Sequence, residues 1–89
     1  MMTTAFRRSF TRDLRNIKDR RVLAKVQQAI ENVEAAEKLS DIAHLKKLSN
    51  TNNFYRIRVG DYRIGIAIEG TEVEFVRCLH RRDLYRYFP

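Results

Sequence analysis

The sequence predicts an α+β fold. An N-terminal strand and a two-helix hairpin pack on an antiparallel sheet of about four strands, with a short C-terminal helical turn. Three observations predict it. Apolar residues recur at helical spacing through residues 10–33. They recur in strand-like runs through residues 54–79, separated by short Gly-containing links. At 89 residues the chain has room for one small domain, 1–89.

Residues 2–8 supply the first strand. Ser9 or Thr11 can cap the first helix, since a hydroxyl at that position accepts an orphan backbone N–H. Phe10, Leu14 and Ile17 follow on one helical face. Asp19 caps the second helix, whose stripe is Val22, Val26, Ala29, Ile30 and Val33. So tight a junction makes the two helices a hairpin, and their stripes need a sheet to cover. Residues 38–53 are a connector in which Leu39, Ile42, Leu45 and Leu48 tuck inward around one short helical turn, and His44 reads as structural. Ser49 to Asn53 is a polar loop tip.

Three strand-like runs follow, linked by Gly60-Asp61 and by Glu69-Gly70-Thr71. Tyr55, Ile57 and Val59 alternate with Arg56 and Arg58; Tyr62, Ile64, Ile66 and Ile68 alternate with Arg63, Gly65 and Ala67. Alternation turns successive side chains to opposite faces. The apolar face therefore lies under the helices. The face carrying Arg56, Arg58 and Arg63 stays open, is kept shallow by Gly65 and Ala67, and has His80, Arg81 and Tyr85 at its edge. Val73 to Leu79 alternates less cleanly and reads as a central strand of unassigned parity.

The net charge is +7. Residues 1–33 hold eight Lys/Arg against three Asp/Glu, and residues 54–89 hold seven Arg against five acids. Such a balance suits nucleic acid, an anionic membrane surface or an acidic protein partner. Cys78 is the one cysteine, so no intramolecular disulfide forms, and its apolar neighbours make it a buried thiol. No Cys/His spacing fits zinc, and neither a signal peptide nor a membrane span is legible. The expectation is a cytoplasmic protein with no metal and no cofactor.

The motifs YRIRVGDYRI at 55–64 and LHRRDLYRYF at 79–88, with this order of elements, resemble the RelE/ParE toxin superfamily of type II toxin–antitoxin systems. The resemblance covers essentially the whole chain and implies a RelE-like fold. RelE-like members are small mRNA endoribonucleases that cut codons in the ribosomal A site; ParE-like members poison DNA gyrase without cutting nucleic acid. The basic, tyrosine-bearing C-terminus is more similar to the RelE branch. The resemblance also implies an acidic cognate antitoxin, and mRNA and the ribosome as partners.

By motif, Arg63 matches the arginine of the family's Tyr-Arg pair, Arg81 the arginine after the last strand, and Tyr85 the tyrosine near the C-terminus. His80 matches a histidine of many related sequences. Arg56 and Arg58 fall where some members carry lysines, and the spacing from Arg81 to Tyr85 is shorter than in some. The implied chemistry is metal-free attack of a 2′-hydroxyl on the adjacent phosphorus. Arg63, His80, Arg81 and Tyr85 are its catalytic candidates. Arg56, Arg58, Arg82 and Arg86 are candidates for binding RNA. Guanidinium forks suit phosphate oxygens but, with pKa values above about 12, cannot serve as the base. His80 is the base or acid candidate on these grounds. A gyrase inhibitor and a member that only binds antitoxin remain as alternatives.

Overall fold

The computed structural model describes residues 2–89. Its elements are β1 (Thr3–Phe6), α1 (Arg8–Arg15), α2 (Arg20–Ala35), a 3₁₀ turn (Leu39–Asp41), β2 (Leu45–Lys47), β3 (Phe54–Val59), β4 (Tyr62–Glu69), β5 (Glu72–His80) and α3 (Leu84–Tyr87). The α+β class and the order of elements are as expected. The sheet is larger, with five strands in the order β1-β5-β4-β3-β2. It is also mixed: β1 runs parallel to β5, pairing Thr3 with Glu72 through Phe6 with Phe75. A strand separated from its partner by two helices and three strands need not return antiparallel, as a hairpin neighbour must. The extra strand, β2, lies inside the connector and pairs Lys46 with Arg56. Three residues are too few for alternation to register in the sequence.

The helices form where the stripes predict. Asp19 caps α2, its Oδ1 accepting from the Arg21 N–H at 2.9 Å. Val26, Ile30 and Val33 are buried, and Val22 and Ala29 pack at the margin of the core. The start of α1 differs from expectation. Its N-cap is Arg7, without a side-chain cap. The Ser9 hydroxyl instead donates to the Val76 carbonyl at 2.6 Å, and Thr11 donates to the Arg8 carbonyl. Ser9 is thus spent on tying α1 to β5.

The main core lies between the helices and one face of the sheet, with Phe10 and Phe75 fully buried and their ring centroids 5.3 Å apart. Each such side chain contributes about 1.5–3 kcal/mol. The break in alternation along β5 has a physical cause. Gly65 pairs with Arg77 but Ile66 pairs with Phe75, so Val76 is an extra residue, a β-bulge. Phe75 and Cys78 join the main core, while Val76 joins a second cluster with Leu48, Leu84 and Phe88.

That second cluster changes the expected open face. Phe88, 3% exposed, is seated over Gly65. A Cβ at Gly65 would stand 2.8 Å from the Phe88 ring, which is why glycine occupies the position. The sheet surface beside Arg63 is therefore partly roofed by the C-terminal turn rather than left shallow and bare.

Candidate functional site

Two short connections build the site. The β3–β4 turn is Gly60-Asp61, with Gly60 at φ +59°, a conformation glycine adopts without strain. This tight turn fixes the register in which Arg58 faces Arg63 and Arg56 faces Gly65. β2 adds Lys46 opposite Arg56. The chain enters β2 through His44 at φ +62°, whose carbonyl accepts from the Arg56 Nη1 at 2.9 Å and from the Arg58 N–H at 3.3 Å. His44, Lys46, Arg56, Arg58 and Arg63 line one shallow depression of about 420 Å³.

Arg63 is its best-held side chain. Nη1 donates to the carbonyls of Gly60 at 2.8 Å and Tyr62 at 2.9 Å, leaving the rest of the fork to an incoming group. Burial, then the charge of Arg56, with Arg58 and Arg81 adding to it, pulls the Arg63 guanidinium below its ordinary range; Tyr85 acts the other way. Four like charges crowded here are a standing repulsion that a bound phosphate relieves.

Tyr85 stands 59% exposed on α3, held there by Leu84 and Phe88 in the second cluster. Together with Lys46 and Lys47 it lines an adjoining depression of about 320 Å³. Lys46 belongs to both depressions and joins them. Arg81 is tied to the β3–β4 turn, its N–H donating to the Asp61 carbonyl at 2.7 Å and its Nε 3.9 Å from the Asp61 carboxylate. An ion pair so exposed is weak and easily exchanged for a phosphate.

The structure thus gathers Arg56, Arg58 and Arg63 in one depression and puts Tyr85 in the adjoining one; Arg81 lines neither, though its charge is felt at Arg63. It does not bring His80 to them. His80 pairs with Tyr62, whose ring packs against the main core, and lies on the helix-facing side with centroids 5.7 Å apart. Its Nδ1 accepts from the Arg82 N–H at 3.2 Å. The residue one place before Arg81 falls on the opposite face from Arg63 because Arg63 is paired with Leu79. Arg82 and Arg86 are exposed outside both depressions. Lys46, Lys47 and His44, none of them a site candidate from the sequence, also line the two depressions. Lys46 and Lys47 lie within β2 and His44 directly before it, a strand too short to recognise from the sequence.

Asp13 anchors the far side. It is 6% exposed and accepts from Arg77 Nε at 2.8 Å, Arg77 Nη2 at 3.2 Å and the Cys78 N–H at 2.9 Å. This bidentate grip fixes β5 just past its bulge. Burial pushes the Cys78 thiol up to about 12, with the Asp13 charge adding to the shift. Among the described residues no group of three His, Cys, Asp or Glu gathers as a metal site, and no helix is long and apolar enough to cross a membrane.

Comparison with known proteins decides the family. A family model described as the ParE toxin of type II toxin–antitoxin systems, parDE, matches residues 5–85. The chain belongs to the RelE/ParE toxin family of type II toxin–antitoxin systems. It is 37% identical to Toxin RelE3 of Methanocaldococcus jannaschii over 89 residues, covering 99% of this chain and 100% of that protein. It is similar to a chain of the RelB–RelE antitoxin–toxin complex from Methanococcus jannaschii, with a TM-score of 0.80, 35% identity and coverage of 96% and 99%. A chain of the toxin–antitoxin complex RelBE2 from Mycobacterium tuberculosis follows at a TM-score of 0.72, with 28% identity and coverage of 90% and 98%. The toxin is RelE-like in fold and in its relatives.

Proposed function

We propose that this toxin is a ribosome-dependent mRNA endoribonuclease, inhibiting translation and restrained by an acidic antitoxin. The observation that carries the reading is the gathering of Arg56, Arg58 and Arg63 in one depression, within reach of the Arg81 charge and joined through Lys46 to the depression of an exposed Tyr85. Relatives crystallised with RelB-type antitoxins support the antitoxin partner.

In the reaction the 2′-oxygen bonds to phosphorus and the P–O5′ bond breaks. A base takes the 2′ proton, an acid protonates the leaving 5′-oxygen, and the products carry a 2′,3′-cyclic phosphate and a 5′-hydroxyl. Arg63, with Arg56, Arg58 and Arg81, holds the phosphate oxygens and stabilises the charge that builds on them. Tyr85 stacks on a base or orients the 2′-hydroxyl. His80 faces away, so the proton-accepting role passes to His44, a residue that lines the arginine depression and whose carbonyl is bonded to Arg56 and Arg58. Lys46 contacts phosphate where the two depressions meet.

The test is purified toxin with ribosomes programmed by a defined mRNA, mapped at the 5′ ends of its fragments. Codon-phased cuts are expected with ribosomes. His44→Ala loses about 10²–10⁴ in rate, and added imidazole restores part of it. Equal cutting by His44→Ala transfers the base role elsewhere. The ParE description of the matching family model favours a second reading, a gyrase inhibitor without nuclease activity. It predicts intact mRNA and accumulating DNA breaks.

A further inference from the structure

At the margin of the sheet, between α2 and the helix-facing side of β3, lies a cleft of about 340 Å³ that meets the arginine depression around the edge of β3. Its floor is apolar, built from Ala29, Ala43, Ile57 and Val59. Its rim carries two carboxamides, Gln28 and Asn32, and two cations, Lys25 and Arg58. The Asn32 Oδ1 accepts from the Ala43 N–H at 3.0 Å, which orients the amide and leaves its NH₂ to donate. No carboxylate lines the cleft among the described residues. His44 and Arg58 line both the cleft and the arginine depression, so the two are contiguous.

We propose that this cleft is a nucleotide subsite, seating one base of the single RNA strand whose neighbouring phosphate lies on Arg58 and Arg63. The inference rests on the RNA-cleaving reading and adds to it a second place where the strand is held. A cleft of this volume, with an apolar floor and few polar groups, is of the kind that takes a planar organic ligand. Bases of a single strand are free to turn into such a cleft, where stacking and edge hydrogen bonds hold them. The Gln28 carboxamide offers a donor and an acceptor side by side, the pattern of a base edge, and Asn32 adds its NH₂ donor; an acidic side chain only accepts. Lys25 and Arg58 flank the base with charge for its phosphates.

The experiment uses the full ¹⁵N-labelled chain, titrated with the four nucleoside 5′-monophosphates and, separately, with oligoglutamate. At least one nucleotide shifts the backbone signals of Gln28, Ala29, Asn32 and Ala43. Ala29→Phe, which fills the cleft, removes those shifts and leaves the shifts at Arg56 and Arg63. It also weakens binding of a 2′-O-methyl RNA oligonucleotide, which lacks the attacking hydroxyl, by about tenfold. Gln28→Ala, at an exposed helix position, carries the same test should the larger side chain disturb folding. Nucleotide shifts confined to the arginine face overturn the inference, as does oligonucleotide binding unchanged in both variants. So does occupation of the cleft by oligoglutamate alone, which assigns it to an acidic protein partner. Absence of nucleotide shifts at the arginine face as well overturns the RNA reading itself.

Discussion

Arg58 and Arg63 face each other directly across the β3–β4 ladder, two like charges at one register position. Like charges so placed weaken a sheet. Lys46 opposite Arg56 repeats the arrangement one strand over. The repulsion is lowest in cost where an anion sits between the charges, as the proposed RNA-binding role requires.

Replacing one member should separate stability from activity. Arg58→Thr puts a β-former opposite Arg63 and removes the repulsion, raising stability by about 0.2–1 kcal/mol. RNA cleavage should fall at the same time. Chemical denaturation with a parallel cleavage assay checks both, and equal loss of both contradicts the role assigned to the pair.

The contact of Phe88 with Gly65 makes the C-terminal turn sensitive to a single methyl group. Gly65→Ala forces the ring off its seat at a cost of about 1–3 kcal/mol. Because the same turn carries Tyr85, cleavage should fall with it. A variant as stable and as active as wild type shows that the ring has another place to go.

Asp13 holds Arg77 and the Cys78 N–H in a largely dry setting. Asp13→Ala leaves both without their partner and should cost about 3 kcal/mol, the lower end for a broken buried pair because Arg77 keeps some solvent. Thermal unfolding measures it.

Cys78 makes stability fall in alkali. Its thiol is raised to about 12 in the folded chain, so the unfolded chain gives up the proton first as pH rises above about 9. The folded state then binds more protons, and stability drops with rising pH by up to about 1.4 kcal/mol per unit between those values. Below about 9 the contribution is complete. Denaturant midpoints from pH 7 to 10.5 should show the fall, and Cys78→Ala should flatten it from a lower starting stability.

Much of the fold was written in the sequence because it rests on periodicity. The α2 stripe and its Asp19 cap, the two hairpins and the arginine face all follow from spacing. The remainder depended on features that spacing does not encode. The Val76 bulge reverses the parity of β5 partway along, β2 is three residues long, and Ser9 bonds to a strand 67 residues away. The same gap governs the site. His80 sits beside Arg81 in sequence but across the sheet from Arg63, whereas His44, in a connector without a clear pattern, is placed at the arginine depression directly before β2.

Cleavage of RNA at the arginine face is the proposed activity. The most direct test is induction of wild type, Arg63→Ala and Tyr85→Phe in cells, with 5′-end mapping of mRNA and confirmation that each chain is folded. Codon-phased cuts by wild type that fade in both variants are expected. Growth arrest with intact mRNA and broken DNA, undiminished in Arg63→Ala, would contradict the proposed activity.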